Sequence, residues 1–137
     1  MAELPPHRMR SEVRVIFGDT DQMGLVYYAN YLRYFEGARA AYWRWRGKSY
    51  KDIEAADIAM PVVEAHCFYK RPAHYEDLLE VETWVSELRI ASLRFSYVIY
   101  RGDTVLTEGN TRHAFTGPDG RPRALPPALR EALPPVG

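Results

Sequence analysis

The chain has 137 residues, of which 47% are hydrophobic and 26% charged, which is typical of one globular domain with a substantial core. Its 18 basic and 18 acidic residues cancel at neutral pH, so no net charge draws the protein to nucleic acid or an anionic membrane. The single cysteine, Cys67, excludes an internal disulfide framework, and eighteen apolar residues nowhere occur together, which excludes a membrane-spanning helix.

The N-terminal segment MAELPPHRMR does not have the pattern of a targeting sequence. It carries charges and two prolines where a secretory signal needs an apolar run. We therefore expect a cytoplasmic protein that does not insert into membranes.

A strand and an ordered loop are predicted near the start of the chain. Residues 11–18 alternate, with Val13, Val15 and Phe17 on one face, which is the period of two typical of a β-strand. Residues 19–24 include two aspartates, a threonine and a glycine, which favour turns.

A long helix is predicted from Tyr28 to near Gly47. Apolar residues recur there at spacings of three and four, which defines one helical face. Leu32, Tyr34 and Trp43 extend the apolar surface around the other faces, so we expect other elements to wrap this helix. The residues of the regular face are Tyr28, Tyr31, Phe35, Ala38, Tyr42 and Trp45.

Four more strands follow a short amphipathic segment at residues 50–56. Each alternates and is bounded by turn residues, and an antiparallel meander is the simplest connection. A Pro-rich tail from residue 118 is expected to contain a short helix around residues 127–133. The predicted strands span residues 60–70, 78–89, 92–101 and 104–116.

This order of elements predicts an α+β fold in which a curved antiparallel sheet of five strands wraps one long central helix. We expect one domain over residues 1–137, with its core at about 11–117 and the tail at 118–137. A five-stranded sheet leaves an unpaired edge, which a second copy would cover. A homo-oligomer is therefore expected.

The segment DTDQMGLVYYAN, residues 19–30, places two aspartates before a glycine turn and a helix start. The first amides of a helix are unpaired and can hold an oxyanion, while a nearby carboxylate can attack a carbonyl or activate water. The same spacing is typical of an aspartate that only closes a turn or caps a helix. We keep that structural interpretation for Asp19.

The run FGDTDQMGLVYYANYLRYFEGAR, residues 17–39, resembles the signature of the hydroxybenzoyl-CoA thioesterase and Tol-Pal-associated acyl-CoA thioesterase family. Weaker similarity continues through residues 61–100 and at RPRALP, residues 121–126. The resemblance implies the hotdog fold and hydrolysis of acyl-CoA thioesters to free acid and coenzyme A, with no metal and no cofactor beyond the coenzyme A of the substrate. The expected assembly is a dimer or a homotetramer of such dimers.

Position by position, the resemblance implies that Asp21 is the catalytic aspartate, acting as nucleophile or as general base. It places the amide that polarises the thioester carbonyl at Tyr28, with Gly24 and Val26 shaping the approach. The Tol-Pal-associated branch has a histidine where this chain has Tyr28, and the hydroxybenzoyl branch has a tyrosine. Only the backbone role is therefore expected of Tyr28.

The phosphates of coenzyme A are expected to meet basic residues near the strand turns. Arg89 matches a basic position of the family and Ser92 lies in the same similar stretch, so both are predicted to bind substrate. Ile90 and Ala91 occupy positions that are basic in the hydroxybenzoyl branch. Binding of the coenzyme A phosphates is therefore expected to be weaker here or to use other residues. Further candidates from charge alone are Lys70, Arg71, Arg121 and Arg123.

Other polar residues are interpreted structurally. Glu64 and His66 share a strand face and resemble half a metal site, but no further histidine or cysteine has ligand spacing. Cys67 is expected to be a core thiol. Glu36 and Arg39 lie one turn apart and are expected to form an ion pair within the helix or at an interface.

Two other functions remain open at this stage. A hotdog dehydratase or hydratase acting on carrier-bound acyl chains would need a histidine paired with a carboxylate, and the segment around Asp21 has no histidine. A non-catalytic acyl-CoA binding module is compatible with the same fold. The acyl group also stays open, among short aliphatic, branched and aromatic chains.

Overall fold

Five strands and three α-helices make up most of the computed structural model, which describes residue 4 and residues 7–134. The predicted α+β class is confirmed, whereas residues 1–3, 5–6 and 135–137 of the predicted domain lie outside the described residues. Among the described residues, no helix combines the length and hydropathy needed to cross a bilayer. In chain order the elements are β1 (Met9–Arg14), a short 3-10 helix (Phe17–Asp19), α1 (Asn30–Trp45), α2 (Tyr50–Ala55), β2 (Val62–Tyr69), β3 (Leu78–Leu88), β4 (Ser92–Arg101), β5 (Thr104–Ala114) and α3 (Pro127–Glu131).

The strands form one antiparallel sheet in the order β1-β3-β4-β5-β2. The predicted meander is correct for β3, β4 and β5. It is wrong for β2, which pairs with β5 and not with β3. Residues 70–77 separate β2 from β3, and a connection of this length, which contains Pro72, is not a tight hairpin turn. The chain therefore passes β5 and β4 on its way from edge strand β2 to β3, which lies beside the other edge strand, β1.

The first strand starts earlier and ends sooner than the alternation predicts. β1 pairs with β3 from Met9 to Arg14, and the 3-10 helix then turns the chain away from the sheet. Val15 is fully buried, but Phe17, which the alternation places on the same face, is 74% exposed. Alternation alone cannot show where β1 ends, because that depends on where its pairing with the distant strand β3 stops.

Helix α1 lies against the inner face of the sheet. Phe35 stacks on Tyr97 of β4 with ring centroids 4.1 Å apart. Gly109 of β5 lets the Phe35 ring pack this close to the sheet, because a Cβ at position 109 would lie 2.6 Å from that ring. Tyr28 precedes the helix and Trp45 is 42% exposed at its end, so the buried face is shorter than predicted. The buried residues of that face are Tyr31, Phe35, Ala38 and Tyr42.

A chain of hydrogen bonds runs from α1 into the sheet. Arg39 donates to the Tyr97 hydroxyl at 3.2 Å, which lies 2.6 Å from the Thr111 hydroxyl. Thr111 lies 2.8 Å from Nε2 of His113, whose Nδ1 lies 3.0 Å from the carbonyl of Met60. Because that carbonyl only accepts, Nδ1 carries the proton and Nε2 accepts from Thr111. Each group in this series then donates to the next one, from Arg39 to the Met60 carbonyl.

The ion pair expected between Glu36 and Arg39 within the helix is not formed in the described part of the chain, and a pair across an interface stays a prediction. Arg39 instead turns inward to the Tyr97 hydroxyl. One turn of separation on a helix permits such a pair but does not require it, and here the buried hydroxyl competes successfully for the guanidinium.

We expect the stability of the fold to fall as the pH falls from about 6.5 towards 4. Burial lowers the pKa of His113 from 6.5 to about 4, so the unfolded chain takes up a proton first. The stability present above pH 6.5 is therefore lost progressively on acidification, by roughly 3 kcal/mol at most. Urea unfolding between pH 7 and 5 measures this slope.

The matched control is His113→Asn, which keeps a donor towards the Met60 carbonyl but does not titrate. Its stability should change much less between pH 6.5 and 5. Equal slopes for this variant and the natural protein would show that His113 is not the responsible group.

Candidate active site

A cavity of about 340 Å³ opens beside the start of α1. The loop before the helix forms one side of it, and the end of β2 with the following residues forms the other. Asp21, Val26 and Tyr28 of the predicted site meet here, together with the basic candidates Lys70 and Arg71. The complete lining is Asp21, Met23, Leu25, Val26, Tyr28, Tyr31, Tyr69, Lys70, Arg71 and Pro72.

Asp21 is half-buried, and only one of its carboxylate oxygens is engaged. Oδ1 accepts hydrogen bonds from the amides of Met23 at 2.8 Å and Leu25 at 3.3 Å. These contacts form an Asx turn, so this oxygen closes the turn, as is typical of aspartate at this spacing. No group among the described residues donates to Oδ2, which stays available at the cavity.

Gly24 completes the turn that holds Asp21. Its amide donates to the carbonyl of Asp21 at 3.0 Å, and its φ of +79° lies in the left-handed region. A side chain at this position would meet no atom within 4 Å, so the requirement for glycine comes from the backbone alone.

Two backbone amides at the start of α1 are free. The amides of Tyr28 and Ala29 donate to no backbone carbonyl in the described part of the chain. Their direction is set by the neighbouring carbonyls, because Tyr27 accepts from the amide of Asn30 at 2.9 Å and Tyr28 accepts from the Tyr69 hydroxyl at 2.8 Å. Oriented free amides at a helix start suit an oxyanion.

The Tyr69 hydroxyl is a contact that sequence reasoning missed. It comes from β2, 41 positions away from Tyr28, so no local pattern reports it. Burial and the neighbouring Cys67 raise the pKa of Tyr69, which keeps the hydroxyl protonated and able to donate. The Tyr28 side chain is 62% exposed and packs on Tyr27, with ring centroids 4.6 Å apart.

Val26 forms the inner wall of the loop. It is 5% exposed, and its amide donates to the carbonyl of Ala73 at 2.9 Å. The amide of Ala73 in turn donates to the Tyr31 hydroxyl at 3.2 Å. The loop is thereby tied both to the residues after β2 and to α1.

Arg89 and Ser92 lie far from this cavity within one chain. Ser92 pairs with Ala114 near one end of β5, whereas Tyr69 at the cavity pairs with Thr107 near the other end. The seven positions between Thr107 and Ala114 correspond to about 23 Å of strand. A single chain therefore does not bring Arg89 to Asp21.

The remaining basic candidates differ in their contacts. Lys70 lies 3.8 Å from Glu108, while Arg89 pairs with Glu87, which also binds Arg112 at 2.9 Å. Arg121 and Arg123 do not line the cavity. Arg121 lies 3.8 Å from Asp119, and Arg123 donates to the carbonyl of Asp57 at 2.7 Å.

Glu64 and His66 do share a face of β2, with 3.7 Å between the carboxylate and Nε2. Neither lines the cavity, and Arg112 also approaches Glu64 at 3.8 Å. Across residues 4 and 7–134, no group of three or more His, Cys, Asp or Glu side chains is arranged to hold a metal ion. Cys67 is partly buried and packs against the core.

Replacing Gly24 by alanine is expected to destabilise the protein by about 1 kcal/mol, because alanine resists a positive φ. Gly18→Ala is the matched control, since Gly18 has open space around it and no positive φ. Thermal unfolding of both variants measures the difference. An equal midpoint for the two would show that the left-handed conformation does not constrain position 24.

Comparisons with known proteins agree with this architecture. A profile of the Thioesterase-like superfamily matches residues 15–133. Acyl-CoA thioester hydrolase YbgC of Escherichia coli is 34% identical over 122 residues, which cover 88% of this chain and 91% of that protein.

Two solved structures extend the likeness. DHNA-CoA thioesterase from Staphylococcus aureus superposes with a TM-score of 0.87 at 30% identity, covering 91% of this chain and 87% of that one. A mutant 4-hydroxybenzoyl CoA thioesterase complexed with 4-hydroxybenzoyl CoA gives a TM-score of 0.83 at 26% identity, covering 93% and 99% of the two chains. The chain belongs to the thioesterase-like superfamily and has the hotdog fold of these enzymes.

Proposed function

We propose that this protein hydrolyses acyl-CoA thioesters to the free acid and coenzyme A at the cavity beside α1. The observation that carries the proposal is that one cavity holds a carboxylate oxygen without a donor, on Asp21, and the helix start with the free amide of Tyr28. The relatives are named as acyl-CoA thioesterases and thioester hydrolases, which supports this reaction class.

The chemistry needs only these groups. The thioester carbonyl oxygen accepts from the amide of Tyr28, which stabilises the oxyanion that forms on attack. Either Oδ2 of Asp21 attacks the carbonyl carbon, or it takes a proton from a water molecule that attacks. Collapse of the tetrahedral intermediate breaks the carbon–sulfur bond and releases the coenzyme A thiolate.

The two routes differ in how the free acid forms. In the nucleophilic route the departing thiolate leaves a mixed anhydride on Asp21, and water hydrolyses it to the free acid. In the general-base route the acid forms directly, and Asp21 returns its proton to the thiolate. A thiolate is a good leaving group, so neither route requires a nucleophilic serine with a histidine base.

Asp21→Asn should lower kcat by about 100-fold or more, because the amide is a poor nucleophile and a poor base. The assay is release of free thiol from coenzyme A esters of varied chain length and aromaticity, which also identifies the acyl preference. Asp103→Asn, in the exposed turn between β4 and β5, is the control and should keep the natural rate.

Full activity in folded Asp21→Asn would overturn the mechanism. A change in acyl-chain unsaturation without thiol release would favour the dehydratase or hydratase alternative, against which the cavity already argues because its described lining has no histidine. Tight binding of acyl-CoA without release of thiol from any ester would favour a binding module.

The edge strand β2 supports a homo-oligomer. Every residue of β2 except Cys67 is exposed in the single chain, and the strand pairs only on its β5 side among the described strands. An exposed edge with large apolar side chains is a surface for pairing with another strand. Those side chains are Val62, Val63, Phe68 and Tyr69.

The proposed second copy would also account for the role predicted for Arg89. Val62 begins β2 beside the row of His113 and Leu93, close to the Arg89 turn, while Tyr69 ends β2 at the cavity. Antiparallel pairing of two β2 strands about a two-fold axis would bring the end of the sheet that carries the Arg89 turn of one copy to the end that carries Asp21 of the other. Arg89 of the second copy would then meet the coenzyme A phosphates.

Mixed dimers test this arrangement. Two chains with different affinity tags are co-expressed and purified in tandem, one carrying Asp21→Asn and the other Arg89→Ala. One of the two sites then has Asp21 and Arg89 intact, so kcat/KM should be about half the natural value.

The control places both substitutions on one chain and pairs it with a natural chain. If Arg89 acts across the interface, no site in this dimer is complete, and kcat/KM should be clearly lower than in the first dimer. The reverse order would show that Arg89 serves its own chain, and equal values would remove Arg89 from the site.

A further inference from the structure

Asp19 is a buried carboxylate close to the proposed site that does not line its cavity. It is 5% exposed, although a charged side chain is costly to bury. Its Oδ2 accepts from the Tyr34 hydroxyl at 2.8 Å and from the amide of Ile16 at 3.3 Å. Oδ1 lies 3.6 Å from the guanidinium of Arg33, which is largely exposed and contributes little.

The backbone of Asp19 makes a second set of contacts. Its carbonyl accepts from the amide of Tyr27 at 2.9 Å and from the side-chain nitrogen of Asn30 at 2.8 Å. Its own amide donates to the carbonyl of Ile16 at 3.0 Å. One residue thus connects the segment that follows β1, the residue before Tyr28 and the first residue of α1.

We infer that Asp19 is a positioning residue, which sets the distance and angle between the carboxylate of Asp21 and the free amide of Tyr28. Asp21 lies two residues after Asp19, and Tyr27, held by the Asp19 carbonyl, directly precedes Tyr28. The positions of both proposed reacting groups therefore depend on the contacts that hold Asp19 in place. This inference rests on the proposed function of Asp21 and Tyr28.

The anchor itself is rigid because Tyr34 lies in the second turn of α1 and is 7% exposed. Burial, followed by the hydrogen bond to Asp19, raises the pKa of Tyr34, so its hydroxyl remains a donor. The bond therefore couples the loop to the second turn of the helix and not only to its first turn.

The geometry separates a positioning role from a chemical one. Both strong donors meet Oδ2, while Oδ1 faces only the exposed Arg33. An asparagine whose carbonyl takes the Oδ2 position keeps both bonds without any charge. A positioning role therefore survives Asp19→Asn, whereas a role as base or nucleophile does not.

The test compares Asp19→Ala, Asp19→Asn and Tyr34→Phe by kcat, KM and thermal unfolding, with an acyl-CoA ester that the natural protein cleaves. Asp19→Ala should lower kcat by ~10- to 100-fold while KM stays close to the natural value, as expected for misplaced catalytic groups. Asp19→Asn should restore most of kcat, and Tyr34→Phe should fall between them.

Tyr42→Phe is the matched control. Tyr42 is also buried in α1, and its hydroxyl lies 3.5 Å from the carbonyl of His7 and beside the backbone of Val85, neither of which lines the cavity. This variant should keep the natural kcat even where its unfolding midpoint drops as much as that of Tyr34→Phe. If Asp19→Ala does not fold, Tyr34→Phe against Tyr42→Phe decides the question.

A natural kcat in folded Asp19→Ala or in Tyr34→Phe would overturn the inference, as would an Asp19→Asn variant as slow as Asp19→Ala. Asp21→Asn in the same assay separates this result from the proposed function. An active Asp21→Asn variant contradicts the proposed function itself. An inactive one, beside fully active Asp19 and Tyr34 variants, contradicts only the positioning role.

Discussion

The burial of α1 against the inner face of the sheet is the contact on which the rest of the structure depends. Its centre is the stacking of Phe35 on Tyr97, which a glycine at position 109 makes sterically available. Once the helix is seated there, its first turn projects at the sheet rim beside the end of β2. Free amides and a cavity result from the same packing that forms the core.

Two hydrogen bonds that follow from this packing also order the proposed site. The carboxylate of Asp19 accepts from the Tyr34 hydroxyl, and the Tyr69 hydroxyl donates to the carbonyl of Tyr28. The first bond offsets the cost of burying the Asp19 carboxylate, and both bonds restrict the loop or the helix start. Under the proposed function, the same contacts contribute to stability and to the alignment of the reacting groups.

Edge strand β2, in contrast to α1, is largely exposed in the single chain. β2 contributes Tyr69 to the cavity but leaves one edge and both faces uncovered within a single chain. The sheet register separates Arg89 from Asp21 by nearly the whole length of β5. In the proposed dimer, a second copy whose own β2 extends the sheet would account for both features.

The sequence by itself determined the elements and proposed the reacting groups. Periodicity located the long helix and all five strands because that signal is local, and the family resemblance of residues 17–39 proposed Asp21 and the helix start. Only the tertiary structure decided that β2 pairs with β5, that Phe17 is exposed, that Arg39 turns to Tyr97, and that Tyr69 holds Tyr28. Such contacts join residues far apart in the chain, and their outcome depends on which partners the packed fold brings within hydrogen-bond reach.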